Sequence, residues 1–406
     1  MGRAGWKTIQ LEHVLDALID YRGKTPHKVP NGVPLITAKI VKNGFIQEPN
    51  EFIPEADYDA WMVRGFPQIG DVVLTTEAPL GEVAQIDKER VALAQRIVLL
   101  RGKKEVLDNG FLKYFLKSEI GQSRLKEKET GTTVTGIKQS ELRQVEIDLP
   151  PIAVQRRIAG ILSALDEKIE LNRQTNATLE AIAQAIFKEW FVDFNFPSAT
   201  GEMQDSALGS IPKGWRVESL SNVAHIYGGG TPKTSSSQYW NGDIPWFSVV
   251  DMPKGTDVFV VDTEKKITQA GLDNSSTNIL PEGTTIISAR GTVGKVALCG
   301  VPMAMNQSCY GLNVKQDDPG LYTYYLARSI SLQLQKGANG SVFDTITRNT
   351  FEQLDVTHPS TLIIEGFNAT IKAVMMRIKE NLYNTNTLNE IRNSLLPKLM
   401  TGEIEI

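Results

Sequence analysis

Two long segments of the chain carry mostly apolar residues at alternating spacings of four and three. The first segment has them at Ile158, Leu162, Leu165, Ile169, Asn172, Asn176, Leu179, Ala183, Ile186 and Trp190. The second has them at Phe367, Ile371, Val374, Ile378, Asn381, Thr385, Leu388, Arg392, Leu395 and Leu399. This heptad spacing is typical of long helices that pack along one another.

The two heptad segments match position by position, because 367 minus 158, 381 minus 172 and 395 minus 186 all give 209. The polar interruption recurs as well, since Asn172 and Asn176 correspond to Asn381 and Thr385. A buried asparagine in such a seam lowers stability but sets the register of the helices. The pattern favours an antiparallel pair with these residues near its middle, because the intervening chain must leave one end and return to it. Two independent amphipathic helices remain the alternative.

The segments that precede the two helices are also copies of each other. Corresponding positions are Trp6 and Trp215, Gly70 to Ala84 and Gly283 to Ala297, Gln95 and Gln307, and Ile137 and Ile346. The offsets drift between 209 and 213 along these pairs, as small loop insertions would produce. The chain is therefore expected to contain two copies of one domain-and-helix module, related by a pseudo-twofold axis. Two copies of one domain held apart by a pair of long helices would suit a ligand with two separated half-sites. Duplex DNA is such a ligand, because it repeats at a fixed pitch.

Each copy is expected to mix helices and strands. In the first, the pattern predicts strands at 32–37, 70–76 and 91–100, and a helix over 110–126. The expected domains are 1–150 (first domain), 151–194 (central spacer helix), 195–213 (polar linker), 214–360 (second domain) and 361–406 (C-terminal spacer helix and tail).

Composition indicates the cellular compartment of the protein more clearly than its function. A formal net charge of -4 over 406 residues argues mildly against a protein that coats nucleic acid nonspecifically, although local basic patches remain compatible with it. The two cysteines, Cys299 and Cys309, form neither a disulfide framework nor a metal-binding spacing, which fits a reducing cytoplasm. No signal-peptide pattern and no bilayer-spanning apolar run is found in the sequence, so no membrane partner is expected.

Catalytic motifs are not convincing in this sequence. Gly294 and Lys295 resemble the end of a phosphate-binding loop, but Val296 stands where the magnesium-binding hydroxyl belongs, and the apolar run after it indicates a strand. The four histidines pair with no cysteine or carboxylate at metal spacing. Three interpretations stay open on these residues: a noncatalytic DNA reader, a fused methyltransferase or nuclease enzyme, and a coiled-coil assembly scaffold without DNA specificity.

Several motifs resemble those of type I restriction-modification specificity subunits. Residues 149–159 (LPPIAVQRRIA) and 185–194 (AIFKEWFVDF) resemble the central spacer of that family, and 395–404 (LLPKLMTGEI) resembles the end of its distal spacer. Residues 288–297 (SARGTVGKVA), followed by Met-Asn-Gln at 305–307, look like the core of a target recognition domain. The resemblance covers essentially the whole chain.

The resemblance implies an α+β fold in which two similar mixed α/β target recognition domains are separated by an antiparallel two-helix coiled coil. Each domain would read one half of a bipartite, asymmetric double-stranded DNA target, and the coiled coil would set the gap. Two methyltransferase subunits and the restriction subunits would be the partners. Catalysis, and with it S-adenosylmethionine, ATP and magnesium, would belong to those partners, so no cofactor is expected on this noncatalytic chain.

Matching loops of the two copies are the candidates for DNA contact. Glu77 and Arg290 occupy equivalent positions, and we hypothesise that Arg290 reads a guanine while Glu77 meets an amino group in the other half-site. Other loop residues of equivalent segments suit phosphate or backbone contact. They are Lys24, Thr25, Lys39, Lys138, Thr231, Lys233, Lys295 and Arg348. For any single lysine, a solvated surface charge is the alternative, and for Arg290 the alternative is a salt-bridged or solvent-facing arginine.

Overall fold

The computed structural model describes residues 5–21, 23, 25–131, 135–255, 257–314, 320–336 and 345–406, with the backbone alone over 332–336. The chain divides into two compact units. Unit 1 comprises Met1–Lys168 and Thr387–Ile406, and unit 2 comprises Ile169–Asn386. Each unit therefore contains one mixed α/β domain together with a part of each long helix.

Unit 1 begins with short strands and turns and ends its globular part on a strand. Its strands are β1 (Lys7–Gln10), β2 (Leu15–Asp20), β3 (Val33–Ile36), β4 (Val41–Lys42), β5 (Phe45–Ile46), β6 (Phe52–Ile53), β7 (Val72–Thr76), β8 (Leu80–Gln85), β9 (Ala92–Leu93), β10 (Ile97–Gly102), β11 (Glu129–Thr130), β12 (Gly136–Ile137) and β13 (Glu146–Leu149). Its α-helices are α1 (Leu11–Val14), α2 (Tyr58–Trp61), α3 (Asn109–Lys117), α4 (Glu119–Glu127) and α5 (Gln139–Arg143).

The long helix α6 (Ile152–Phe191) leads from unit 1 into unit 2. The strands of unit 2 are β14 (Met203–Ser206), β15 (Gly209–Pro212), β16 (Arg216–Ser219), β17 (Ala224–Gly228), β18 (Trp240–Phe247), β19 (Phe259–Val260), β20 (Lys266–Ile267), β21 (Thr285–Ser288), β22 (Val296–Cys299), β23 (Ala304–Met305), β24 (Cys309–Val314) and β25 (Asp355–His358). Its α-helices are α7 (Leu220–Val223), α8 (Gln269–Asp273), α9 (Leu321–Lys336) and α10 (Arg348–Glu352), and the second long helix, α11 (Thr361–Met400), follows them.

The two units share the same sheet topology, except that the main sheet of unit 2 has the additional edge strand β19. The main sheet has the order β2-β10-β7-β8 in unit 1 and β17-β24-β21-β22-β19 in unit 2. A smaller sheet has the order β6-β3-β9 in one and β20-β18-β23 in the other, with the same combination of one antiparallel and one parallel pair. In each unit an early strand also pairs with the last one, β1 with β13 and β16 with β25. The expected duplication of a mixed α/β domain is confirmed.

The central strands are buried on both faces, which explains their continuous apolar runs. In unit 1, Val98 and Leu100 of β10 belong to the core that contains α3, whereas Leu99 belongs to the core that contains the smaller sheet. Successive side chains of a strand point to opposite faces, so one run of four apolar residues supplies both cores. In unit 2, neighbouring Ile286 and Ile287 of β21 are divided between two cores in the same way.

The two long helices are antiparallel within each unit. In unit 2, Asn172 contacts Thr385 and the Trp190 ring packs 5.9 Å from that of Phe367, so one helix advances as the other returns. In unit 1, Asp166 of α6 contacts Arg392 of α11, while Leu162 and Leu399 share a core. The expected antiparallel helix pair is confirmed.

Two of the expected local elements are interrupted. The helix pattern over 110–126 forms two helices, because Ser118 adopts an extended conformation and its hydroxyl accepts a hydrogen bond from Gly121 N at 3.2 Å, which begins α4. The strand pattern over 91–100 is divided between β9 and β10. β9 pairs with β3 and β10 pairs with β7, so the chain passes from one sheet to the other at Gln95 and Arg96.

Candidate nucleic-acid interface

Three distant segments of unit 1 meet where strand β7 ends. Thr76 N donates a hydrogen bond to Arg96 O at 2.8 Å, and Glu77 forms an isolated bridge with Gly136. The contact needs a glycine, because a Cβ at position 136 would lie 2.8 Å from Thr76 O and 3.0 Å from the Glu77 Cβ. The end of β7, the turn before β10 and strand β12 therefore form one surface.

Side chains on this surface are also paired with one another. The guanidinium Nε of Arg96 lies 2.8 Å from Oε1 of Glu77. Next to this ion pair, Gln95 donates through Nε2 to Oγ1 of Thr25 at 2.6 Å. Gln95 and Thr25 form this hydrogen bond at an exposed position, so it orients polar groups that solvent or a ligand can reach.

Unit 2 repeats the backbone connections and the Thr–Gln contact. Ala289 N donates to Ser308 O at 2.8 Å, as Thr76 does to Arg96 in unit 1. Ile346 N donates to Ala289 O at 2.9 Å, which joins the segment before α10 to the end of β21. Thr231 donates through Oγ1 to Oε1 of Gln307. We call this shared arrangement of three segments and one Thr–Gln hydrogen bond the reading frame of each unit.

The two reading frames differ in their charged side chains. Arg290 follows Ala289 in unit 2, as Glu77 follows Thr76 in unit 1, and it is exposed. Among the residues that the structure describes, Arg290 forms no ion pair. Ser308 occupies the position of Arg96, so the ion pair of unit 1 has no copy in unit 2.

The loop after β21 is a compact turn rather than a phosphate-binding loop that leads into a helix. Lys295 N donates to the Ser288 hydroxyl at 2.9 Å, and Ser288 N donates back to Lys295 O at the same distance. Gly291 and Gly294 have φ values of 78° and 81°, which favour glycine. The residues that follow Lys295 form β22. The Lys295 side chain itself is exposed.

The remaining basic candidates are also exposed. Lys39 lies in the turn between β3 and β4, Lys138 directly precedes α5, and Lys233 follows Thr231 by two residues. Arg348 is the first residue of α10, and its Nη2 donates to Ile226 O at 3.4 Å. Lys24 lies outside the described residues.

Gln95, Arg96 and Gln307 belong to these surfaces but were not among the sequence candidates. The repeat carried a signal for two of them, because Gln95 and Gln307 are equivalent and follow strands in both copies. Arg96 has no such signal, since its copy is Ser308. Its position became apparent only through its contact with Glu77.

The predicted register residues lie at the buried interface of the two long helices in unit 2. Asn172 donates through Nδ2 to Oγ1 of Thr385 at 3.3 Å, and Asn381 donates through Nδ2 to Oδ1 of Asn176 at 2.9 Å. Asn176 also donates to Ile378 O at 3.2 Å. The first two contacts are copies of each other under the internal repeat, since 172 plus 209 is 381 and 176 plus 209 is 385.

A buried charge cluster joins the same two helices to α3 in unit 1. Asp166 accepts from Arg392 Nη1 at 2.9 Å and from the Tyr114 hydroxyl at 2.9 Å, with Lys113 and Lys117 Nζ at 3.6 and 3.5 Å. Burial alone would raise the pKa of the Asp166 carboxyl, but the three cations and the hydroxyl hold that pKa below its usual range. Burial lowers the pKa of both lysines. The copies of Asp166 and Arg392 in unit 2 are Met375 and Ala183, which lie in an apolar core.

Two further observations limit the kind of site. Within the described part of the chain, no group of three or more histidine, cysteine, aspartate or glutamate side chains is placed to hold a metal ion. Across the same residues, no helix has both the length and the apolar character needed to cross a membrane.

Comparison with known proteins gives one consistent family. The model of the type I restriction modification DNA specificity domain matches residues 4–181 and 212–396. The MjaIX specificity subunit of Methanocaldococcus jannaschii is 27% identical over 382 residues, which cover 92% of this chain and 87% of that protein. The HindI specificity subunit of Haemophilus influenzae is 26% identical over 320 residues, covering 64% and 69%. The crystal structure of an S subunit from M. genitalium matches the fold with a TM-score of 0.64 at 16% identity, covering 97% of this chain and 96% of that one.

Proposed function

The chain belongs to the type I restriction modification DNA specificity family, and on this premise we propose that each unit reads one half of a bipartite, asymmetric DNA target through its reading frame. The observation that carries the proposal is the duplicated frame. The same backbone connections and an equivalent Thr–Gln contact, donated by Gln95 in unit 1 and by Thr231 in unit 2, accompany different charged side chains in the two units. A shared frame with different side chains suits a protein that docks twice on duplex DNA and reads two different sequences.

Direct reading of bases is assigned to polar and charged side chains of the frames. Arg290 is exposed and has the bidentate donor geometry that guanine O6 and N7 accept in the major groove. Glu77 lies at the equivalent position in unit 1, beside an arginine. Thr25 and Thr231 orient the neighbouring glutamines, whose amides suit adenine.

Phosphate contacts are assigned to the basic residues around the frames. Exposed side chains of this kind fix the position of a protein on the duplex without reading its sequence. The residues are Lys39, Lys138, Lys233, Lys295 and Arg348, together with Lys24 from outside the described part of the chain. They supply local positive charge on a chain whose net charge is -4.

The long helices are proposed to set the gap between the half-sites. Their polar contacts, Asn172 with Thr385 and Asn176 with Asn381, are buried and hydrogen-bonded in the observed register. A slip of the helices would bury unpaired amides, which costs about 1–3 kcal/mol for each unsatisfied group. A single register gives a fixed length.

The chain is the noncatalytic specificity subunit of its system, and the system implies DNA and other restriction-modification subunits as partners. We propose two methyltransferase subunits and accompanying restriction subunits, which supply S-adenosylmethionine, ATP and magnesium chemistry. Some apolar side chains on the long helices in unit 2 are exposed and accessible to such partners. They are Leu171, Ile182, Met376 and Tyr383.

Cys299 and Cys309 are free, buried thiols, which supports a cytoplasmic complex.

The test is selection and footprinting of DNA by the full chain purified with its methyltransferase partner. A randomised duplex library should yield a motif with two specified blocks separated by a fixed unspecified gap. Footprinting of that motif should protect both blocks. Failure to enrich any motif, with the complex intact by size-exclusion chromatography, would contradict the proposal. A single contiguous motif would reject its bipartite part.

A further inference from the structure

Arg96 is an exposed arginine whose guanidinium is held from one side. The closest approach to Glu77 runs through Nε at 2.8 Å, and the two side chains are 57% and 34% exposed. A carboxylate at Nε lies beside the inner end of the guanidinium. The outer fork, Nη1 and Nη2, is the part that can donate two parallel hydrogen bonds to a ligand.

The backbone at Arg96 is fixed by hydrogen bonds at this residue and at the residue before it. Arg96 has a φ of 67°, a left-handed conformation that is uncommon for a residue other than glycine. Its carbonyl accepts from Thr76 N at 2.8 Å, and the preceding Gln95 is hydrogen-bonded to Thr25. Residues kept in such conformations by their surroundings cluster at functional sites, where the strain is part of the pre-organisation.

The charged residues occupy different positions in the reading frames of the two units. There the position of Glu77 is occupied by Arg290 and the position of Arg96 by Ser308. Each reading frame thus presents an exposed arginine, supplied from the turn before β10 in unit 1 and from the end of β21 in unit 2. Glu77 in unit 1 is the carboxylate that pairs with this arginine.

We propose that Arg96 reads a guanine in the half-site of unit 1, with Nη1 and Nη2 donating to O6 and N7, and that Glu77 is its positioning residue. The proposal rests on the DNA-reading function above and adds the base and the residue that recognises it. An exposed ion pair contributes little to stability, so the fold does not depend on it. Holding the fork in place lowers the conformational entropy that binding must overcome.

The test compares variants of the full chain, purified with its methyltransferase partner, by selection from the randomised duplex library and by competition binding. Arg96→Ala should relax one guanine position by roughly 10- to 100-fold and leave the other half-site unchanged. Arg96→Lys keeps the charge but lacks the fork, so it should relax the same position. Glu77→Gln should relax that position less. Arg90→Ala is the matched control, because Arg90 is also exposed, has a φ of 53° and pairs with Glu55 at 2.9 Å.

Each contrary outcome overturns the inference in a recognisable way. Equal weakening on every sequence, rescued by Arg96→Lys, would assign Arg96 to a phosphate. An unchanged motif in Arg96→Ala would make the ion pair structural. A changed base preference in Glu77→Gln alone would make Glu77 the direct reader. If the wild-type complex selects no bipartite motif, the proposed function itself fails, whereas a wild-type motif retained by Arg96→Ala rejects only this inference.

Discussion

Asn381 donates a hydrogen bond through Nδ2 to Oδ1 of Asn176 at 2.9 Å, across two helices whose paired positions are 205 residues apart in sequence. The contact is the internal copy of that between Asn172 and Thr385. All four residues are buried. The polar middle of the helix pair therefore obeys the same repeat as the domains.

Replacing Asn381 should destabilise the helix pair. Asn381→Ala leaves Oδ1 of buried Asn176 without its partner, so the free energy of unfolding should fall by about 1–3 kcal/mol. Urea unfolding followed by circular dichroism measures the change. Asn386→Ala, at an exposed position of the same helix, is the control and should change stability by less than about 0.5 kcal/mol. Equal effects of the two variants would contradict the role given to the buried contact.

Removing the Asp166 carboxylate should be more severe. Asp166→Ala leaves Lys113, Lys117 and Arg392 buried or half-buried without their shared anion, which should cost about 3–5 kcal/mol. Arg392→Ala should cost less, because two lysines and Tyr114 still satisfy the carboxylate. Thermal unfolding of the purified chain gives the order. The exposed neighbour substitution Glu167→Gln serves as the comparison.

The Asp166 cluster also predicts a dependence of stability on pH. The pKa of Asp166 is lower in the folded protein than its ordinary value of about 3.9. Its contribution to stability is therefore present above about pH 4 and is lost as the pH falls through the lower folded pKa. The difference in unfolding free energy between the wild type and Asp166→Asn should shrink on acidification through this range. A difference that stays constant from pH 6 to pH 2.5 would show that the charge is not responsible.

Two glycine-to-alanine substitutions should have opposite effects. Gly136→Ala places a Cβ 2.8 Å from Thr76 O and should separate β12 from Glu77, weakening recognition of the half-site of unit 1 alone. Gly160→Ala on α6 meets no atom within 4 Å and should stabilise the helix by up to about 1 kcal/mol. Binding competition and unfolding measurements separate the two. Equal loss at both half-sites in Gly136→Ala would indicate a global defect.

Replacing Arg290 or Lys233 with alanine should impair DNA binding in different ways. Arg290→Ala should relax one base position of the half-site of unit 2, because a bidentate contact to a base is lost. Lys233→Ala should weaken binding to all sequences and reduce the slope of log affinity against log salt concentration by about 1. Arg377→Ala, an exposed arginine on α11 paired with Glu380, is the control for unit 2. If Arg290→Ala weakened binding equally on all sequences, Arg290 would be assigned to a phosphate contact instead of a base contact.

The sequence alone indicated the duplicated organisation and favoured an antiparallel pair of helices. Both rest on periodic patterns, since heptad spacing needs a partner helix and a constant offset of 209 names that partner. The apolar runs at 70–76 and 91–100 likewise predicted strands, and the structure adds that β7 and β10 are buried on both faces. These features are readable because they repeat along the chain.

The tertiary structure alone decided how individual polar groups are paired. Arg96 lies 19 residues from Glu77 in sequence (96 minus 77) and has no charged copy in unit 2, so no pattern joined them. Asp166 lies in a helical segment, and no sequence pattern connects it to Lys113, Lys117 and Arg392, which surround it in the structure. Such pairings depend on distances between segments that fold together. Side-chain charge follows no period along the chain, so only the packed structure determines which group each charge meets.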